Sequence, residues 1–429
     1  MSDLPEGWVE TTFDELSDIQ LGKMLDKRKN VGEPVPYLRN INVRWGAFDV
    51  DDIFSMRMTP EERKKYSIEA GDLIVCEGGE PGRAAIWREQ ECQFAFQKAL
   101  MRVRSNGAAM PDWMYAFLIY ASASGNLSER FTGTTIKHLP QRALASTPIP
   151  LPPLAEQGRI VEKLDALSAQ SAAASAALTR IETLITRYKA AVLGAIFDDV
   201  VLGHKTDEGV SIGEIAASVF DGPFGSNLKS ADYSDEGQRV VRLENVGHLE
   251  FLGDKRTFIP QGKFESLTRH ELHPGDIIFS SFIADQIRVC RLPDLDGERA
   301  INKADCFCIR VEAERALSRF VELLLASPAS YRSLEQLVHG ATRPRINTKQ
   351  LKALRIALPP LEEQAEIVAR IEAAFAQIET LARAAAAARA RLSALDRAIL
   401  ARAFQGKLVP QNPNDEPASE PLERVRAAR

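Results

Sequence analysis

The feature that most limits what this chain can fold into is that it is written twice. Residues 151–167 read LPPLAEQGRIVEKLDAL and residues 358–374 read LPPLEEQAEIVARIEAA, an offset of 207. The offset holds on both sides: Gly133 maps to Gly340, Thr135 to Thr342, Leu144 to Leu351 and Phe197 to Phe404. Upstream, with small changes of offset, GDLIV at 71–75 parallels GDIIF at 275–279. Arg39 and Asn42 parallel Arg242 and Asn245, and Gln97-Lys98-Ala99 parallels Asn302-Lys303-Ala304. Repetition on this scale makes a half-chain the unit of folding. Each half is globular first and helical second.

The globular parts span 1–150 and 204–357. Both carry short β-rich runs (LIVC, AAIW, ALMRVR; DIIFS, IRVCRL, CFCIRV) bounded by Gly, Pro and Asp, which is the chemistry of strands and turns. Helical patches such as PDWMYAFLIYAS and LSRFVELLLASP follow, so each part reads as a mixed α/β or α+β domain.

The helical parts, 151–203 and 358–405, are a different material. Leu164, Leu167, Ser171, Ala174, Leu178, Ile181, Ile185, Tyr188, Val192 and Ala195 alternate steps of three and four. The second copy places Ile371, Ala374, Ile378, Leu381, Ala385, Ala388, Leu392, Leu395, Ile399 and Arg402 at the same steps. A sustained alternation of this kind is a coiled-coil seam. An intermolecular coiled coil would satisfy the same heptads. An intramolecular antiparallel pair is favoured, because both seams lie in one chain with a whole domain between them. The expected architecture is two globular domains joined by two long antiparallel coiled-coil helices, with pseudo-two-fold internal symmetry. The remaining segment, 406–429, is rich in Pro, Asn and Glu and reads as a flexible tail.

Composition excludes several classes. No run of about 18 apolar residues occurs, so no membrane association is expected. The start, MSDLPEGWVE, is acidic and lacks the apolar stretch of a signal peptide. Five cysteines without a CxxC pair read as reduced, mostly buried thiols of a cytoplasmic protein. Net charge is −5, which does not advertise a nucleic-acid ligand.

Catalytic and cofactor motifs are not found. There is no GxxxxGK[ST] loop for phosphate. The nearest approach to the [N/D]-P-P-[F/Y] turn of a base-amino methyltransferase is Asp221-Gly222-Pro223-Phe224, with Gly in place of the first proline. It reads as a turn. His270 and His273 have no third ligand at a sensible spacing for a metal. A non-catalytic chain without cofactor or metal is expected.

Two similar domains held apart by a helical rod make a caliper, and duplex DNA offers marks about one helical turn, or roughly 34 Å, apart. The repeated endings IPLPPLAEQ and IALPPLEEQ, with GDLIVCEGGEPGRAAIW, FQKALMRVR, DGPFGSNLKSADY and LVPQNPNDEPAS, resemble the specificity subunits of type I restriction-modification systems. The resemblance covers essentially the whole chain. It implies two target-recognition domains reading the halves of a bipartite double-stranded DNA site, at a spacing set by the helices. It also implies docking of two methyltransferase subunits, which carry the adenine methylation chemistry and S-adenosylmethionine, with restriction subunits as further partners. The rival reading is a non-catalytic protein-interaction scaffold.

Neither globular part is basic on average: 18 basic against 21 acidic residues in 1–150, and 21 against 22 in 204–357. DNA contact must then rest on local clusters or on partner subunits that surround the duplex, since a few cations suffice for phosphate while base edges specify. The clusters are Lys27-Arg28-Lys29, Lys137 with Arg142, and Arg343-Pro344-Arg345 followed by Lys349 and Lys352. Thr134 and Thr135, and Thr342 in the second copy, lie beside two of them, next to glycines suited to close approach of a phosphate. Arg83 is expected at the tip of a glycine-rich loop, facing an anion. By side-chain type, Arg39, Asn40, Asn42, Gln97 and Lys98 in the first half suit base edges, as do Arg242, Asn245, Asn302 and Lys303 in the second.

Overall fold

The computed structural model describes residues 4–26, 28–202, 209–284, 286–338 and 344–428. The chain forms two compact units, Met1–Leu178 with Ala387–Arg429, and Thr179–Ala386. The boundary falls inside both long helices, Leu154–Leu202 and Leu361–Phe404, so each unit holds a stretch of each. No helix among the described residues is long and apolar enough to cross a membrane.

In the first unit an antiparallel sheet runs in the order Ser17–Leu21, Leu100–Ser105, Leu73–Cys76, Ala84–Ile86. A smaller sheet places Glu33–Leu38 between Phe54–Met58 and Ala95–Phe96. Val9–Thr12 pairs with Pro148–Leu151, which ties the start of the domain to its end. The helix Pro111–Ala123 covers the larger sheet, and its Trp113 is fully buried against Phe404 of the C-terminal long helix.

The second unit repeats this plan. Its larger sheet runs Ala216–Phe220, Cys306–Val311, Ile277–Ser280, Val289–Arg291. Its smaller sheet gains a strand, in the order Phe258–Ile259, Gln238–Val241, Ala300–Asn302, Glu271–Leu272. Phe197, Phe320 and Ile371 are fully buried in its core.

The repeated PPL-x-EQ motif is the joint between sheet and helix. Gln157 is fully buried; its Nε2 donates to the carbonyls of Ala108 and Pro152 and its Oε1 accepts from the Met110 amide at 2.7 Å. Gln364 does the same in the second unit, donating to Arg315 and Pro359 and accepting from Leu317 at 2.9 Å. Each glutamine thus satisfies three backbone groups where the chain turns into its helix, groups that burial would otherwise leave unpaired.

The long helices run antiparallel within each unit. Ser171 donates to Asp396 at 2.8 Å in the first, and Lys189 pairs with Glu379 at 3.5 Å in the second. Most of the expected seam is at least partly buried: Leu164, Leu167, Ser171, Leu178, Ile185 and Val192, with Ile371, Ala374, Ile378, Ala385, Ala388, Leu392 and Ile399. The remaining positions are displaced by one residue. Ser175, Lys189, Ile196, Phe375, Ala382, Arg389 and Asp396 turn inward, while Ala174, Ile181, Tyr188, Ala195, Leu381, Leu395 and Arg402 are exposed. The displaced positions are mostly apolar, and they face outward.

The tail also departs from expectation. Residues 406–428 pack on the first unit, where Leu422 is buried in the core cluster with Leu408, Val409 and Val425 against it. Arg159 pairs with Asp415 at 2.6 Å, Arg426 with Glu15 at 2.7 Å, and the Ala418 amide donates to Gly7 at 2.9 Å. Four apolar residues in a polar stretch are enough to hold a segment that has a surface beside it to cover.

Candidate nucleic-acid interface

Backbone hydrogen bonds fix which residues of the two units correspond. In the first unit the Gln97 amide donates to Leu38 and the Gln97 carbonyl accepts from Leu100. In the second, Lys303 takes both places, with Val241 and Cys306. Gln97 therefore matches Lys303 rather than Asn302, a shift of one residue from the pairing that sequence similarity suggests. Gly22 and Gly222 confirm it: a Cβ would lie 2.2 Å from the Gln97 carbonyl oxygen in the first case and 2.3 Å from the Lys303 carbonyl carbon in the second. No side chain fits there.

Several expected contact residues are framework instead. Asn42 is buried; its Oδ1 accepts from the Arg39 amide and its Nδ2 donates to Asp49 and Asp52 carbonyls. Asn245 repeats this with Arg242, Leu252 and Lys255. Asn302 is fully buried and donates to the Cys306 carbonyl. These three amides have no surface to offer DNA, and Asn42 and Asn245 match between halves because each holds the same turn. Arg39 is also committed: its guanidinium pairs with Asp52 at 2.6 Å and lies 4.0 Å over the Phe54 ring. Arg83 does not project from its loop. It bonds Glu80 at 2.8 Å and the Asn40 carbonyl at 2.8 Å, and only 14% of its side chain is exposed.

What the fold brings together in the first unit is a loop cluster at the Cys76 end of the larger sheet. Asn40 Nδ2 donates to the Gly78 carbonyl at 3.4 Å, and Gly78 bridges to His138. Thr132 and His138 exchange both backbone hydrogen bonds, so residues 133–137 form a closed loop carrying exposed Thr134, Thr135 and Lys137. Gly133, at φ +89°, makes the turn; a Cβ would lie 2.1 Å from the Ile136 carbonyl oxygen. Gln97 is half-buried and Lys98 is exposed.

In the second unit the corresponding segment is anchored by Phe282 bridging to Arg345 and by the Ile346 amide donating to Ser281. Arg345 is 61% exposed. Thr342 and Arg343 lie outside the described residues, as does Lys27 in the first unit. Arg242 is partly exposed, 3.6 Å from Glu244. Lys303 donates to the Leu228 carbonyl at 2.7 Å, and burial holds its ammonium below the usual lysine range.

Two residues that sequence reasoning passed over stand beside Arg345. Asp221 and Asp305 line a cavity of about 350 Å³ with Phe224, Phe307, Arg345, Ile346, Asn347 and Thr348. Burial pushes the Asp221 carboxyl up to about 6, against the two backbone amides that favour its charge. Asp305 occupies left-handed backbone, φ +71°, where non-glycine residues are uncommon. The only sequence signal for this cavity was the DGPFG turn itself.

Residues 5–183 and 255–387 match the family described as the type I restriction modification DNA specificity domain. The chain belongs to that family. It is 27% identical to the type I restriction enzyme EcoKI specificity subunit of Escherichia coli K12, over 99% of this chain and 96% of that one. It is equally 27% identical to the StySPI specificity subunit of Salmonella potsdam, with the same coverage of each. Its fold matches a chain from a structure of a type I R-M system complex with TM-score 0.72 at 21% identity, covering 95% of this chain and all of the other. The HsdS subunit of Thermoanaerobacter tengcongensis matches with TM-score 0.53 at 22% identity, over 95% and 98%. The duplicated mixed α+β domains on long helices are thus the fold of the specificity subunits.

Proposed function

We propose that this chain is a cytoplasmic, non-catalytic specificity subunit that reads a bipartite duplex DNA target, one half with each unit, for methyltransferase subunits docked on it. The observation that carries the reading is a shared framework with divergent loops. Gln157/Gln364, Asn42/Asn245 and the buried Asp72–Arg104 and Asp276–Arg310 pairs are the same in both units. Beside them the sequences diverge: GTTIKH at 133–138 stands where GATRPR stands at 340–345, and six residues separate Cys76 from Arg83 where seven separate Ser280 from Arg288. A scaffold that must bind two different half-sites would keep the first and vary the second.

Thr134, Thr135 and Lys137, with Lys98 and Gln97, are the first unit's contacts in this reading; Arg345, Arg242 and Lys303 are the second's. Asn40 and Arg83 shape the first loop cluster from beneath. The outward apolar row supports docking: Ile181, Leu184, Tyr188 and Leu381 are 40 to 61% exposed in the second unit. Such rows rarely stay bare in water. Two methyltransferase subunits, and restriction subunits beyond them, are the partners; the methyl donor belongs to the methyltransferase.

The test is to map methylated adenines genome-wide in cells co-expressing this chain with a methyltransferase subunit, against the methyltransferase alone. A new split motif with a fixed gap is expected. A continuous motif would discard the two-reader geometry. No new methylation from a stable complex would return the protein to a scaffold.

A further inference from the structure

The cavity around Asp221, Asp305 and Arg345 is a place where the two units differ in kind. By the correspondence fixed above, the first unit has Leu21 where the second has Asp221, and Ala99 where it has Asp305. The Glu77 amide donates to the Ala99 carbonyl just as Ser281 does to that of Asp305. His138 stands where Arg345 stands, each forming the bridge to its neighbouring loop. An apolar pair has been exchanged for two carboxylates, at the edge of the loop proposed to meet DNA.

The carboxylates are half used. Asp221 Oδ1 accepts from the amides of Gly222 at 2.7 Å and Asp305 at 2.9 Å. Asp305 Oδ1 accepts from the Ser281 hydroxyl at 2.9 Å and lies 3.8 Å from the Arg345 guanidinium. Neither Oδ2 takes a hydrogen bond among the described residues. Arg345 makes no closer ion pair among them and is mostly exposed. Two carboxylates repel a phosphate, so the cavity does not suit the DNA backbone. It suits a group that offers hydrogen-bond donors to an acid beside acceptors for a guanidinium.

In the major groove a C·G pair presents that combination: the cytosine N4 amino group is a donor, and guanine O6 and N7 are a pair of acceptors. We infer that Asp221, Asp305 and Arg345 form the part of the second unit that selects a C·G pair in its half-site. Arg345 donates to guanine O6 and N7, and a carboxylate Oδ2 accepts from cytosine N4. This rests on the function proposed above and adds which base pair these side chains choose. The raised Asp221 carboxyl fits: a charge that burial disfavours has more to gain from an amino group than one already satisfied by water.

The test uses the full chain co-expressed with a methyltransferase subunit, comparing the wild type with Asp305→Asn, Asp221→Asn and Arg345→Ala by genome-wide adenine methylation. Asn tolerates left-handed backbone, so Asp305→Asn keeps the turn. The wild-type half-site read by the second unit should contain a C·G pair. Each variant should relax choice at that pair by about 10-fold or more and leave the other half-site and the gap unchanged. A second half-site without a C·G pair, or variants that methylate with the wild-type motif, would overturn the inference. Where a variant abolishes methylation, competition binding by its purified complex decides, using duplexes altered only at that pair: lost discrimination supports the inference, and retained discrimination overturns it. A wild type that yields no split motif sinks the proposed function itself, which is a distinguishable failure.

Discussion

Gln157 and Gln364 make the same three hydrogen bonds in the two units, while Leu21 and Ala99 in one face become Asp221 and Asp305 in the other. The difference separates two kinds of conservation between halves. Residues that match are those whose polar atoms are spent inside the fold: Asn42 and Asn245 hold a turn, and Asp72 and Asp276 hold an arginine across the sheet. Asp221 and Asp305, which differ from their counterparts, stand at the loop end, where the fold uses one oxygen of each and leaves the other without a hydrogen bond among the described residues. Matching is a mark of framework, and discrimination must be sought where the halves disagree.

The comparison can be broken most sharply through the shared helices. Inserting one heptad into each long helix adds about 10 Å, or roughly three base pairs at 3.4 Å each. The methylated motif should keep both half-sites and lengthen its gap; an unchanged gap would mean that the helices do not set the spacing.

The joints come next. Gln157→Ala or Gln364→Ala leaves three buried backbone groups short of a partner, each worth about 1–3 kcal/mol. Thermal unfolding should show a loss of at least ~2 kcal/mol for either variant. Equal losses would support equivalent joints; a near-neutral result at one would show that the two are not equivalent.

The smallest effect belongs to the divergent cavity. Asp221, raised from 3.8 to about 6, adds stability that is full below pH 3.8 and lost as pH rises through 6. The full displacement corresponds to about 3 kcal/mol, and partial exposure reduces it to ~1 kcal/mol. Asp221→Asn keeps the acceptor for the Gly222 and Asp305 amides and removes the charge. It should raise the melting temperature of the chain by about 2–4 °C at pH 8 and leave it unchanged near pH 4. A uniform shift at both pH values would assign the effect to packing instead.

The repeat made the fold legible in the amino-acid sequence, because a motif such as PPL-x-EQ must do the same local work wherever it occurs. The seam was mostly legible. Leu164, Ile371 and their row were right, but heptad counting cannot distinguish an apolar row that meets a helix from one left for a partner, as Tyr188 and Leu381 show. The tail misled because composition averages over Leu408, Val409 and Leu422. Within the interface, side-chain type picked Lys137 and Arg345, which are exposed, but also Asn302 and Arg83, whose burial depends on contacts far along the chain. Asp221 and Asp305 lie 84 residues apart and meet only when the strands pair. An acid was not sought in a DNA-facing loop.

The central claim is that each unit reads its own half-site independently of the other. Its most direct test is to replace residues 1–150 by the corresponding domain of another specificity subunit and map adenine methylation with the same methyltransferase. The account predicts a motif with one half-site replaced and the other kept at the same gap. A motif changed in both halves, or in neither, would contradict it.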